Sequence, residues 1–245
     1  MNAPRFPEHL TGWTAAEVRA AEAPLLAADE PLMRRAAAAL AEVVREVLRD
    51  RGSPAEQGPG ILVLAGSGDN GGDALFAAAE IAAEGARVSV IQTGSRVHEE
   101  ATAAARVAGA RWVRLDDGLD SALAGAAVIL DGILGIGGDS PALRGDARAT
   151  VARILELLYD REPRTHRDDD RETPRGEDAP LQRPAIIAVD LPSGVHADDG
   201  SVPDPAVLRA AVTVTFGAVK AGLLLAPGST YAGEVRLVDL GLERP

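Results

Sequence analysis

The chain has no cysteine, a single lysine and very few aromatic residues, which make up 3% of it. Without cysteine there is no disulfide, no thiolate metal site and no cysteine nucleophile. With so few rings, the core must be built from Ala, Val, Leu and Ile. No stretch approaches the roughly 20 apolar residues of a membrane helix. Met1-Asn2-Ala3-Pro4-Arg5 is not followed by the apolar segment of a secretion signal. The expectation is a soluble, cytoplasmic protein with no membrane partner. Positive charge is also scarce: 25 Lys and Arg against 37 Asp and Glu leave a net charge of −12. Such a surface repels phosphodiester backbones, so no nucleic-acid partner is expected. One small phosphorylated ligand stays compatible with it, because backbone amides bind phosphate without lysines. The histidines, His9, His98, His166 and His196, lack the spacing of metal ligands.

What is present reads as alternating helix and strand. Thr14-Ala15-Ala16-Glu17 is a capping box opening a helix that Pro24 should end or bend. A second helix starts near Pro31, with Met33, Ala37, Leu40, Val44 and Leu48 at helical spacing. Ile61–Ala65, Ala126–Leu130 and Ala185–Val189 are short and wholly apolar, the signature of strands buried on both faces of a parallel sheet. Arg87–Gln92, Trp112–Leu115, Val212–Phe216 and Val235–Val238 complete the strands. Helices are expected over 73–84, 98–108 and 143–159. Residues 160–183 hold charges and three prolines with almost nothing apolar, and read as a mobile surface insertion. The alternation predicts a mostly parallel α/β sheet with helices on both faces. Ligands bind such sheets at the carboxyl ends of the strands. The loops at Gly66, Asp131 and Asp190 should therefore converge.

Gly66-Ser67-Gly68-Asp69-Asn70-Gly71 fits the G-x-G-x-x-G pattern between strand and helix, where a loop backbone approaches a phosphate. A tight βα turn alone would also need these glycines. A dinucleotide fingerprint further wants an acidic residue about 20 positions on. Gln92-Thr93 stands there instead, which counts against an NAD-dependent oxidoreductase. Asp73 is read as opening the following helix, whose dipole should keep it ionised. Asp131-Gly132-Ile133-Leu134-Gly135-Ile136-Gly137-Gly138-Asp139 and Asp190-Leu191-Pro192-Ser193-Gly194 each put a carboxylate at a strand end before a flexible loop. Ser193 is not in a hydrolase elbow. Lys220 follows a strand end, as a ligand contact or as a surface residue.

In this order and spacing, Ala65–Asp73, Asp131–Gly135, Val189–Gly194 and Thr215–Lys220 resemble the YjeF N-terminal domain family, from roughly Glu17 to Leu240. The resemblance implies a Rossmann-like three-layer αβα sandwich with a mostly parallel central sheet, one domain over 1–245, and a homodimer. It implies an isomerase of metabolite repair, an NAD(P)H-hydrate epimerase that interconverts the R and S forms of NADHX and NADPHX, nicotinamide cofactors hydrated at ring carbon 6. A dehydratase, separate or fused, would then consume the S form. The implied substrate contacts are Asp69, Asn70, Gly71, Gly72, Asp73, Gly135, Ile136, Gly137, Gly138, Asp139 and Asp190. One potassium ion per subunit would be held by Asn70, Asp131 and Ser193, whose oxygens suit a large hard cation.

The chemistry needs a carboxyl group to protonate the leaving hydroxyl and a carboxylate to stabilise positive charge. Asp190 is expected to be the acid/base and Asp73 the group that stays ionised. A non-catalytic nucleotide- or protein-binding module is the alternative. Departures from the family pattern are Asp69 and Ala74 flanking Asn-Gly-Gly-Asp, Arg34-Arg35-Ala36-Ala37 after Met33, and the 160–183 insertion.

Overall fold

A computed structural model describes residues 11–51, 60–138, 140–159 and 183–245. The insertion expected at 160–183 lies almost wholly outside these, as do Asp139, His9 and His166. The elements in chain order are α1 (Ala15–Ala27), α2 (Leu32–Asp50), β1 (Gly60–Ala65), α3 (Asp69–Ala83), β2 (Arg87–Gln92), α4 (Glu99–Val107) and β3 (Arg111–Trp112). There follow α5 (Leu119–Ala124), β4 (Val128–Gly132), α6 (Gly145–Tyr159), β5 (Ala185–Val189), β6 (Val212–Phe216), α7 (Ser229–Ala232) and β7 (Glu234–Val238).

The seven strands form one sheet in the order β3-β2-β1-β4-β5-β6-β7, and every pairing is parallel. Alternate side chains of each strand face opposite layers. Ile61, Val63, Val128, Leu130, Ile187 and Val189 pack on α2, α3 and α4. Leu62, Leu64, Ile129, Ile186 and Ala188 pack on α5 and α6. The result is the parallel α/β sheet with helices on both faces that the alternation of elements predicted, and the Rossmann-like αβα sandwich that the resemblance implied. Strands β1, β4 and β5 are buried along their whole length, which is why their sequences are apolar without alternation. The order of the sheet reverses between β1 and β4, the place where such folds open a crevice. A third, smaller cluster seats Ala15 of α1 among Leu191, Val195, Val219 and Leu223, beside the carboxyl ends of β5 and β6.

Three expectations are corrected. Helix α1 continues through Pro24 to Ala27. Pro24 and Ala20, whose carbonyl loses its partner, both face solvent, so water replaces the lost bond. The capping box at Thr14 and Glu17 forms as expected. Helix α3 begins at Asp69, one turn earlier than read, so Asp73 does not open it. The turn after β1 is this short because the backbones nearly touch: a Cβ on Gly71 would lie 2.2 Å from the Gly66 carbonyl oxygen. Asp131 lies inside β4, paired opposite Ala188 and Leu64, where it was read as ending the strand. Helix α5 was not anticipated, being too short for a helical period to show.

Candidate functional site

The carboxyl ends of β1, β4, β5 and β6 bring together residues from four separate stretches of sequence. Asn70, in the first turn of α3, donates through Nδ2 to the Leu134 carbonyl at 3.1 Å and to the Val189 carbonyl at 2.5 Å. One side chain thus ties the loops after β4 and β5 to the start of α3. Gly135 leaves room for it, since a Cβ there would lie 2.3 Å from Asn70 Oδ1.

Beneath this tie lies Asp131, fully buried. Its Oδ2 accepts from the Ser193 amide at 2.9 Å and its Oδ1 from the Ile133 amide at 3.5 Å. The Ser193 hydroxyl accepts from the Leu134 amide at 2.9 Å. Burial pushes the Asp131 carboxyl up, and the Ser193 contacts only partly offset this. Among the described residues, no lysine or arginine forms an ion pair with it. Asn70 and Ser193 both bond the Leu134 segment, and Ser193 bonds Asp131, which makes a buried oxygen-rich spot with no cationic side chain paired to it among the described residues. That donor set fits a hard monovalent cation. No group of three His, Cys, Asp or Glu able to hold a metal occurs among the described residues.

Asp190 follows β5 with φ of 69°, a left-handed conformation that Asp tolerates better than most residues. This turn aims its carboxylate at β6. There Oδ1 accepts from the Phe216 amide and lies near the Thr215 hydroxyl, each at 3.2 Å, and it pairs with the Lys220 ammonium. Lys220 is 1% exposed and also donates to the Phe216 carbonyl at 2.8 Å. Its segment is clamped from outside by Trp13, whose amide donates to the Val219 carbonyl and whose carbonyl accepts from Ala221, both at 2.8 Å. Of the two placements left open for Lys220, neither a surface position nor a free ligand contact is found. It is the buried partner of Asp190.

Asp73 faces the same cleft from the second turn of α3. It is 6% exposed, and its Oδ1 has no hydrogen-bond partner. Burial above all, and then the negative charges of Asp190, Asp69 and Glu22, push its carboxyl well up, against a smaller pull from Lys220. The surroundings of the two carboxyls therefore differ from those expected. Asp73 was read as the ionised group because of a helix N-terminus it does not occupy. Asp190, read as the acid, is the one held in an ion pair.

Glu22 was missed by sequence reasoning. It lies one turn beyond Val18 on the inward side of α1, and burial and the charges of Asp190 and Asp69 raise it, opposed by Lys220. Its only signal was its place in the period of Ala15 and Val18. Arg19 donates to the Ile136 carbonyl at 2.7 Å and so fixes the loop that continues through Gly137 and Gly138. Gly71 and Gly72 are buried in the start of α3, whereas Asp69 is exposed in its first turn. The extra charge of Asp69 thus points into water at the favourable end of the helix dipole. Ala74 is buried against Gly132. Arg34 stacks on Phe76 and pairs with Glu100, and Arg35 donates to the Leu240 carbonyl at 3.3 Å, so both serve packing.

Residues 29–222 match the family model described as YjeF-related protein N-terminus. The chain is 51% identical to the NAD(P)H-hydrate epimerase of Clavibacter michiganensis subsp. michiganensis, over 95% of this chain and 91% of that one. It is 37% identical to the bifunctional NAD(P)H-hydrate repair enzyme Nnr of Mycobacterium leprae, over 95% of this chain but 42% of that one. A crystal structure of yeast ynu0 superposes with a TM-score of 0.69 at 20% identity, over 93% of this chain and 87% of that chain, a likeness of fold. The chain belongs to the YjeF-related protein N-terminus family.

Proposed function

We infer that this member of the YjeF-related family is an NAD(P)H-hydrate epimerase acting on NADHX and NADPHX. The observation that carries the reading is the pair of carboxyl groups in one cleft with opposite surroundings. Asp190 is tied to a lysine, and Asp73 is buried without a charge partner.

Two carboxyls in surroundings this different can divide acid and anion roles. In the hydrated cofactor, the hydroxyl on ring carbon 6 sits beside the ring nitrogen. Asp73, protonated, gives its proton to that hydroxyl as the C–O bond breaks, and water leaves. The nitrogen lone pair forms the C=N bond, so the ring becomes an iminium cation. Asp190, paired with Lys220, faces the new positive charge and stabilises it. Water then adds to either face of the flat centre, and Asp73 takes the proton back. The product is the other epimer, and no electrons have been exchanged. The diphosphate of the nucleotide lies at the amides that open α3, from Asp69 to Gly72.

Asn70, Asp131 and Ser193 would hold a potassium ion, which supplies positive charge against Asp131 and the diphosphate. Support for this is the buried carboxylate without a cationic side chain. Gly135, Ile136, Gly137, Gly138 and Asp139 would contact the substrate. The consuming reaction is dehydration of the S epimer, as the word bifunctional in the mycobacterial relative's name suggests. A cytoplasmic homodimer completes the proposal. Among the described residues no helix is long and apolar enough to cross a membrane.

The test is epimerisation of purified R-NADPHX, followed by chromatographic separation of the two forms. The expected result is approach to the R/S equilibrium much faster than in buffer. Equal rates with and without protein would refute the epimerase.

A further inference from the structure

We propose that the loop after β2, through Arg96, is a binding site for the 2′-phosphate of the adenosine ribose, and that it selects NADPHX over NADHX. The inference rests on the nucleotide orientation of the proposed function and extends it to the half of the substrate that does not react.

Topology supplies the first step. The sheet order reverses between β1 and β4, and the amides that open α3 stand above β1. Asp190 and its partner Lys220 follow β5 and β6 on one side of that point, and Asp73 of α3 is buried near them. A dinucleotide whose diphosphate sits on α3 must therefore extend its other nucleoside over β2.

The end of β2 is built against the phosphate loop itself. The Thr93 amide donates to the Ala65 carbonyl at 2.9 Å. The Arg96 amide donates to the Ser67 hydroxyl at 3.3 Å. Gly94 packs so closely on Ser67 that a Cβ there would lie 2.0 Å from its hydroxyl oxygen. Arg96 thus starts within one hydrogen bond of the loop that leads into α3.

Chemistry supplies the second step. Folds of this kind that prefer an unphosphorylated ribose place a carboxylate after the second strand, to accept from the 2′-hydroxyl. Here the stretch is Gln92-Thr93-Gly94-Ser95-Arg96, with no acid in it. The Gln92 amide is occupied, donating to the Gly94 carbonyl at 2.9 Å. Arg96 is exposed, and among the described residues its guanidinium has neither an ion pair nor a hydrogen bond. In a chain of net charge −12, an exposed guanidinium beside the phosphate loop is suited to meet an anion. A planar guanidinium matches a phosphate monoester in a forked contact, which a ribose hydroxyl cannot offer.

The experiment compares two fragments by calorimetry: adenosine 2′,5′-bisphosphate and adenosine 5′-phosphate. The unaltered protein should bind the bisphosphate about 10- to 100-fold more tightly, the range expected of a charge-assisted contact. Arg96→Ala should erase that preference without weakening the monophosphate, and Arg96→Lys should keep part of it. The same variants are then assayed on R-NADPHX and R-NADHX, where Arg96→Ala should lower kcat/KM for the phosphorylated substrate alone. Equal affinity of the unaltered protein for both fragments would overturn the proposal, and so would an equal loss for both in Arg96→Ala. A preserved 2′-phosphate preference in a protein without epimerisation would support the site and refute the epimerase instead.

Discussion

Two buried carboxylates on neighbouring strands meet the cost of burial in different ways. Asp190, after β5, has a lysine of its own, a backbone amide and a hydroxyl. Asp131, inside β4, has two amides and no cationic side chain among the described residues. The first carries its counter-charge within the chain. The second has no counter-charge from a side chain among the described residues. A buried charge needs compensation, and its source decides whether the site depends on ions in solution.

Breaking the internal pair should have the largest effect. Lys220→Met leaves Asp190 buried and alone, and should cost about 3–5 kcal/mol in urea unfolding. Adding Asp190→Asn should restore much of that. A Lys220→Met protein as stable as the parent would mean that the two carboxylates do not differ in this way.

The external cation comes next. At a potassium concentration of 100 times its dissociation constant, binding should stabilise the protein by about 2.7 kcal/mol. Asp131→Asn should abolish that gain, and Lys220→Met should not. Melting curves in potassium and lithium chloride would show it, and identical curves for the parent protein would break the comparison.

Asp73 sharpens it from a third side, as a buried carboxyl with no ion pair among the described residues. Its carboxyl is raised, so the folded protein holds that proton where the unfolded chain has lost it. Stability from this group is present at low pH and is lost as pH rises through the raised value. Asp73→Asn escapes that loss. It should be more stable than the parent at neutral pH by about 1–3 kcal/mol, the gain vanishing as pH falls to about 3.9. Epimerisation should drop about 100-fold or more if Asp73 is the acid.

The smallest effect is expected of Ser193→Ala. It removes a hydroxyl that accepts from the Leu134 amide but leaves the Ser193 amide on Asp131. A loss of about 0.5–1.5 kcal/mol follows, with weaker potassium dependence. A complete loss of that dependence would make the hydroxyl, rather than Asp131, the main ligand.

Much of the fold could be read from the chain because fully buried parallel strands leave apolar runs such as Ile61–Ala65 and Ala185–Val189. The gathering of Asn70, Asp131, Ser193 and Asp190 could be read as well, since strand ends in such a sheet share one edge. Asp73 was misjudged because the start of α3 depends on how closely Gly66 and Gly71 approach each other, and a pattern of residue types does not record that distance. Glu22 escaped because α1 docks on the site through contacts made far away, by Trp13 on the Lys220 segment and Ala15 on Asp198.

The lack of cysteine and the alternation of apolar runs determined by themselves an α/β sandwich without thiol chemistry and with its polar loops at the strand ends. The surroundings of each carboxyl were left to the tertiary structure. Ionisation depends on burial and on the nearest opposite charge, and the only lysine lies 30 positions after Asp190 in the chain yet beside it in space.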